Sequence, residues 1–154
     1  LLRSRPDQMA EAIQRILEDR KRLSQEVDAL KRELARQQSG DLTDQAREID
    51  GMQVLSAEVN VDAKTLRDEA DRLRDTLGSG VVVLGSREGG AVKLVVTVSK
   101  DLAGSRVHAG NLVREIAGMV GGGGGGRPDM AQAGGKDADA LPSALEAVYT
   151  LVAG

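Results

Sequence analysis

Six consecutive glycines, Gly121–Gly126, run directly into Arg127-Pro128-Asp129 and then Met-Ala-Gln-Ala-Gly-Gly. No other stretch constrains the fold as much. Holding a residue in one backbone conformation costs about 1–2 kcal/mol. The run must therefore stay free as a linker or be held by contacts that require the absence of side chains. Composition alone fits a linker. Two features oppose it: the run joins elements of one domain, where connections are short and constrained, and it stops abruptly at a polar trio. Glycine supplies positive φ, lacks a Cβ, lets another backbone approach closely, and frees N–H groups to turn towards an anion. A Walker-type phosphate loop is excluded, because no Gly-Lys-Ser/Thr follows. A dinucleotide fingerprint is disfavoured, because the glycines follow a helical pattern rather than a strand. Arg127 is held between glycine and proline. It either pairs with Asp129 to shape the loop or reaches a phosphate.

The remaining composition removes several function classes. The 154 residues include no cysteine, so thiol chemistry and cysteine-ligated metals are excluded. Tyr149 is the sole aromatic residue, which rules out an aromatic platform for single-stranded nucleic acid. The core must be built from Leu, Val, Ile, Ala and Met. A net charge of −3 argues against a general polyanion binder, so any nucleic-acid surface is a local patch. No apolar run approaches the roughly 20 residues needed to span a bilayer. The first residues, LLRSRPDQ, turn polar at once and do not resemble a signal peptide. The expectation is a soluble, cytoplasmic chain. Because it starts on leucine, a fragment of a longer protein is expected.

Residues 7–38 read as one long helix of roughly 45 Å. Pro6-Asp7 is its start signal and Ser39-Gly40 its stop. Met9, Ile13, Ile16, Leu23, Val27, Leu30 and Leu34 form a heptad seam interrupted at Arg20. Such a narrow stripe cannot bury itself. Ile16, Leu23, Val27, Leu30 and Leu34 are candidates for an oligomer seam, with packing against other helices of a parent protein as the alternative. Residues 41–50 read as a polar connector. A strand follows at 52–59, with Leu55, Ala57 and Val59 on one face. A helix capped by Asp62 carries Leu66, Ala70, Leu73 and Leu77 and ends at Gly78. VVVL (81–84) has the character of a central strand. SREGG is a turn, and 92–99 alternates as another strand. The first crossover can be parallel, and the short turn makes the second pair an antiparallel hairpin. A helix from about Asn111 to Val120 buries Leu112, Val113, Ile116, Ala117 and Val120. Met130–Ala133 can form a short strand. Pro142 opens a last helix whose inner face carries Leu145, Val148, Tyr149 and Val152. The expected fold class is α+β. A coiled-coil-like helical subdomain (1–40) and a connector (41–50) precede a small globular domain (51–154), whose mixed sheet is flanked by helices.

Charge is uneven. Residues 41–80 carry 5 basic against 10 acidic side chains, so the 52–77 unit is a poor phosphate binder. The basic neighbours of the glycine run are Lys100, Arg106, Arg114 and Lys136, which are either ordinary surface charge or part of an RNA-binding patch. His108 is the single histidine. It stands just before a helix, where capping or surface exposure is expected and RNA contact is possible. No carboxylate pair, nucleophile–base couple or metal-ligand spacing is present, so no catalytic residue and no metal site are assigned.

Four stretches together carry a family resemblance: SGVVVLGS (79–86), AVKLVVTVSKDL (91–102), HAGNLVREIAGMVGG (108–122) and VGGGGGGRPDMAQAGG (120–135). They resemble the C-terminal, DHH-associated domain of bacterial alanyl-tRNA synthetases from about residue 50 onward. The preceding helix resembles the helical subdomain of the same enzymes. Related oligonucleotide phosphoesterases share the domain type but carry a glycine–histidine variant of the loop, and this chain has no Asp-His-His metal motif. Many synthetase relatives have lysine or serine where Gly123 stands, so this loop is less positive. The resemblance implies a non-catalytic module that grips the elbow of tRNA(Ala), helps aminoacylation and editing share one bound tRNA, and aids oligomerisation. On this reading Gly121–Gly126, Arg127 and Asp129 form the RNA-binding loop. The fragment itself holds no cofactor. ATP, magnesium and zinc are expected in the parent's catalytic and editing domains. A homodimer through the N-terminal helix is the further partner, and self-association without RNA contact is the alternative function.

Overall fold

The computed structural model describes residues 6–153, so the opening LLRSR read above for its polarity lies outside the described residues. The first element is helix α1 (Pro6–Thr43). Backbone contacts divide the chain into a unit ending at Leu34 and a unit beginning at Ala35. In the first unit the apolar stripe of α1 is open. Met9, Ile13, Ile16, Leu17, Leu23, Val27, Leu30 and Leu34 are between 48% and 69% exposed. The helix does not stop at Ser39-Gly40 as the sequence suggests. A glycine inside a helix costs about 1 kcal/mol, but the extra turn buries Leu42 in the core of the second unit, and burying a leucine contributes more than that.

The second unit is built on a six-stranded sheet in the order β1-β2-β3-β4-β6-β5. The strands are β1 (Arg47–Ile49), β2 (Met52–Glu58), β3 (Gly80–Glu88), β4 (Ala91–Val98), β5 (Gly123–Gly126) and β6 (Met130–Gly135). β2 and β3 are parallel, and all other neighbours are antiparallel. The polar stretch 41–50 is more than a connector. It contains β1, turned onto β2 through Asp50-Gly51, whose φ values of 50° and 80° suit a tight hairpin.

Helix α2 (Ala63–Leu77) crosses from β2 to β3. The Asp62 carboxylate caps it by accepting from the Thr65 N–H at 2.8 Å, and Gly78 ends it at φ 77°. α2 lies on one face of the sheet, where Leu66, Ala70 and Leu73 meet Leu55, Ala57, Val59, Val82, Leu84 and Val95. Helices α3 (Ala109–Met119) and α4 (Leu141–Ala153) cover the other face. There Leu112, Val113, Ile116, Ala144 and Val148 pack on Val54, Val81, Val83, Leu94 and Val96. The single aromatic ring ties α4 to the β1–β2 edge. The Tyr149 hydroxyl donates to the Ser56 carbonyl and accepts from its N–H, both at 3.2 Å, while the Arg47 guanidinium sits 4.1 Å above the ring.

The glycine run forms an edge strand with an unusual roll. A Cβ at Gly124 would stand 2.3 Å from the Gln132 carbonyl and 2.4 Å from the Ala133 Cβ. One at Gly122 would overlap the Gly134 carbonyl, and one at Gly126 would come within 2.6 Å of the Ala131 Cα. Alternate glycines therefore point into the backbone of β6, and only hydrogen fits there. Gly123 has nothing within 4 Å of its Cβ position. Two substitutions separate these roles. Gly124→Ala is expected to destabilise the domain by about 1–3 kcal/mol through overpacking. Gly123→Ala should change stability by no more than about 0.5 kcal/mol, as for an ordinary surface position. Urea denaturation of the two variants checks the difference, and equal losses would contradict the roll of the strand.

Candidate nucleic-acid interface

Arg127-Pro128-Asp129 is the turn that joins the two glycine-rich strands. The Arg127 N–H donates to the Met130 carbonyl at 2.9 Å and closes it. Proline at the first loop position pre-sets φ near −65°, which explains why the glycines stop so abruptly. The turn is anchored from three sides. The Pro128 carbonyl accepts from the Ala109 N–H at 3.0 Å, which satisfies one of the donors left open at the start of α3. The Pro128 ring lies 3.6 Å from the Cβ position of Gly104, and the Asp129 carbonyl accepts from the Val98 N–H at 2.8 Å.

α3 docks against the same strand. A Cβ at Gly110 would approach the Gly126 carbonyl to 2.6 Å, so the first turn of the helix touches β5 backbone to backbone. His108 supplies the cap: its Nδ1 accepts from the Asn111 N–H at 3.3 Å. That geometry needs the neutral ring with Nδ1 unprotonated. At the other end of α3 the chain turns through Gly121, at φ 67°, and the Val120 carbonyl accepts from both the Lys136 and Asp137 N–H groups at 2.9 Å.

The residues singled out by the sequence are only partly brought together. Gly121–Gly124 and Gly126 are exposed, and Gly125 is half-buried. Arg114, exposed on α3, brings its guanidinium to 3.7 Å from the Cβ position of Gly125 and so lines the outer edge of the strand. Arg127 pairs with Asp129 at 3.3 Å, but the side chains are 71% and 43% exposed. Such a pair is worth about 0–1 kcal/mol, so it shapes the turn weakly and leaves most guanidinium donors open. Lys100 lines a cavity of about 500 Å³ together with Arg74, Ser99, Asp101 and Asp129. The Ser79 hydroxyl, with help from Ser99, holds the Asp101 carboxyl there below the usual carboxylate range. Arg106 lies in the loop that carries Gly104. Lys136 lies at the opposite end of β6 from the turn. The seam residues Ile16, Leu23, Val27, Leu30 and Leu34 belong to the first unit.

Two exposed polar residues beside the glycines escaped the sequence reading. Gln132 sits between Ala131 and Ala133, which pack towards the α3–α4 face. Lys93, on β4, pairs in register with Gly134 of β6. The Ala-Gln-Ala alternation was the available signal. Among the described residues, no group of three or more His, Asp or Glu side chains could hold a metal ion, and no helix is long and apolar enough to cross a membrane.

Known proteins show the same sequence pattern and architecture. The model of the DHHA1 domain matches residues 51–154. An alanine–tRNA ligase from Pelotomaculum thermopropionicum is 46% identical over 153 residues, which is 99% of this chain and 17% of the relative. One from Desulforamulus reducens is 48% identical over 140 residues, 90% of this chain and 16% of the relative. The chain thus spans about 17% of the length of the curated relatives it matches. The crystal structure of the C-Ala domain from Aquifex aeolicus alanyl-tRNA synthetase superposes with a TM-score of 0.66 at 33% identity, covering 71% of this chain and 98% of that one. The family match over residues 51–154, these identities and this superposition place the chain in the DHHA1 domain family, in the form found in alanine–tRNA ligases.

Proposed function

We propose that the chain is a tRNA-binding appendage of a cytoplasmic alanine–tRNA ligase and that it meets the elbow of tRNA(Ala). The observation that carries this reading is a rigid, exposed strand without side chains beside two available guanidinium groups, Arg114 and Arg127. The elbow of a folded tRNA presents the flat face of a tertiary base pair. A glycine strand approaches such a face closely without aromatic stacking, and neighbouring arginines take the adjacent phosphates. Recognition of this kind depends on RNA shape more than on base sequence. By holding the elbow, the module lets aminoacylation and editing domains elsewhere in a parent chain work on one bound tRNA. ATP, magnesium and zinc belong to those domains, and the module itself carries out no chemistry.

A second reading rests on a different observation. The open apolar stripe of α1 supports self-association through a helical seam, with or without RNA.

Each reading has its own test. The chain should bind tRNA more tightly than an RNA hairpin of equal length, and the salt dependence should be shallow, as expected for a few phosphate contacts. Arg114→Ala and Arg127→Ala should each weaken tRNA binding by about 1–3 kcal/mol, as expected for hydrogen bonds to a charged group. Filter binding at several salt concentrations measures both. Equal, weak binding of tRNA and hairpin at low salt would remove the RNA reading. For self-association, sedimentation velocity should show a concentration-dependent dimer that Leu23→Asp and Leu30→Asp convert to monomer. A wild type that stays monomeric at all concentrations would remove that reading.

A further inference from the structure

The glycine hairpin has two faces, and they differ in what covers them. On one face Ala131 and Ala133 pack towards α3 and α4. On the other face α2 covers Val82, Leu84 and Val95. Gln132, paired in register with Val95 and Gly125, stands exposed on that second face. Between the flank of α2 and the hairpin the sheet is therefore bare, and Gln132 stands in its middle.

We infer that this bare strip is the surface that reads the folded RNA, with Gln132 hydrogen-bonding to a base edge or ribose and Lys93 and Lys100 holding backbone phosphates at its two ends. The inference rests on the tRNA-binding reading and assigns it a face and a polar reader.

Charge decides the occupant. Lys93 lies in the row Lys93–Gly134–Gly123, at the end of the strip nearest the β3–β4 turn. Lys100 lines the cavity at the other end, where Arg74 and Asp129 also converge. About seven strand residues separate the two lysines, or roughly 23 Å. Among the described residues, Lys93 and Lys100 have no ion-pair partner. Around the cavity the acids are engaged, whereas Glu88, on the same sheet face as Lys93, has no ion-pair partner among the described residues. Arg74 holds Asp71 and Asp75 at 2.9 Å, Asp101 accepts from Ser79, and Asp129 pairs with Arg127. Free lysines at both ends, with the cavity acids already paired, fit a polyanion. The polar amide of Gln132, which has no hydrogen-bond partner among the described residues, fits a polar base or ribose better than an apolar protein surface.

The test uses the whole chain with a tRNA transcript in fluorescence anisotropy. Gln132→Ala should reduce affinity about five- to thirtyfold. Lys93→Ala should weaken binding and lower the slope of log K against log salt by about one. Gln132 and Lys93 are exposed, so both variants should keep the wild-type melting temperature, which circular dichroism checks. If wild type itself fails to bind tRNA, the tRNA-binding reading falls. If wild type binds, but both variants bind as well as it does while Arg114→Ala weakens binding, then the strip is not the reading face and this inference alone is overturned. Changed self-association in sedimentation with unchanged tRNA affinity would assign the strip to a protein contact and equally overturn it.

Discussion

The structure depends on backbone surfaces meeting without side chains between them. β5 lies so close against β6 that a methyl group at Gly122, Gly124 or Gly126 would overlap main-chain atoms. The first turn of α3 approaches the same strand so closely that Gly110 has no room for a Cβ either. These contacts offset the entropy of ordering six glycines, which would otherwise cost about 1–2 kcal/mol each. They also explain an apparent contradiction: the most flexible residue type, repeated six times, forms one of the more constrained parts of the domain.

Exposure follows from the same constraint. A strand that spends its Cβ positions on packing has none left to cover its outer edge. β5 is therefore open along that edge, and Arg114 reaches over from α3 to line it. A bare hydrogen-bonding edge invites another strand, and a charged side chain beside it discourages that pairing. On the proposed tRNA-binding reading, the same arrangement would offer backbone N–H groups and a guanidinium to the RNA. On that reading, packing need and binding surface come from one feature.

Elsewhere, stability comes from aliphatic burial on two faces of a sheet, and the buried polar side chains are paired. Thr97 donates to the Ala70 carbonyl, Ser86 to the Val61 carbonyl, and Ser99 accepts from the Gly80 N–H. No buried side-chain nitrogen or oxygen among the described residues lacks a partner. With one aromatic in the chain, Tyr149 supplies an anchor between α4 and the β1–β2 edge by using its ring, its hydroxyl donor and its hydroxyl acceptor together.

Periodicity made most elements legible in the chain itself: α1 by its heptad stripe, α2 by Asp62 and Gly78, β3 by its continuous valines, and α3 and α4 by their apolar faces. These signals are local, because capping and amphipathicity act over three or four residues. The parallel β2–β3 pair was legible too, since a helix between two strands allows little else. Three features were decided only by tertiary contact. Gly40 did not end α1, because Leu42 gained a core position beyond it. β1 was hidden in a polar stretch, because an edge strand of three residues needs a neighbour more than a pattern. The glycine run carried no side-chain signal at all, so its strand pairing, its roll and its contact with α3 existed only once β6 and the helix were in place. The site follows the same division. The sequence by itself singled out Arg114 and Arg127 as cations close to the run, but it missed Lys93. The fold alone decided that Arg114 lies along the strand, that Arg127 turns back to Asp129, and that Gln132 faces outward, because facing is set by register and register is a property of the sheet.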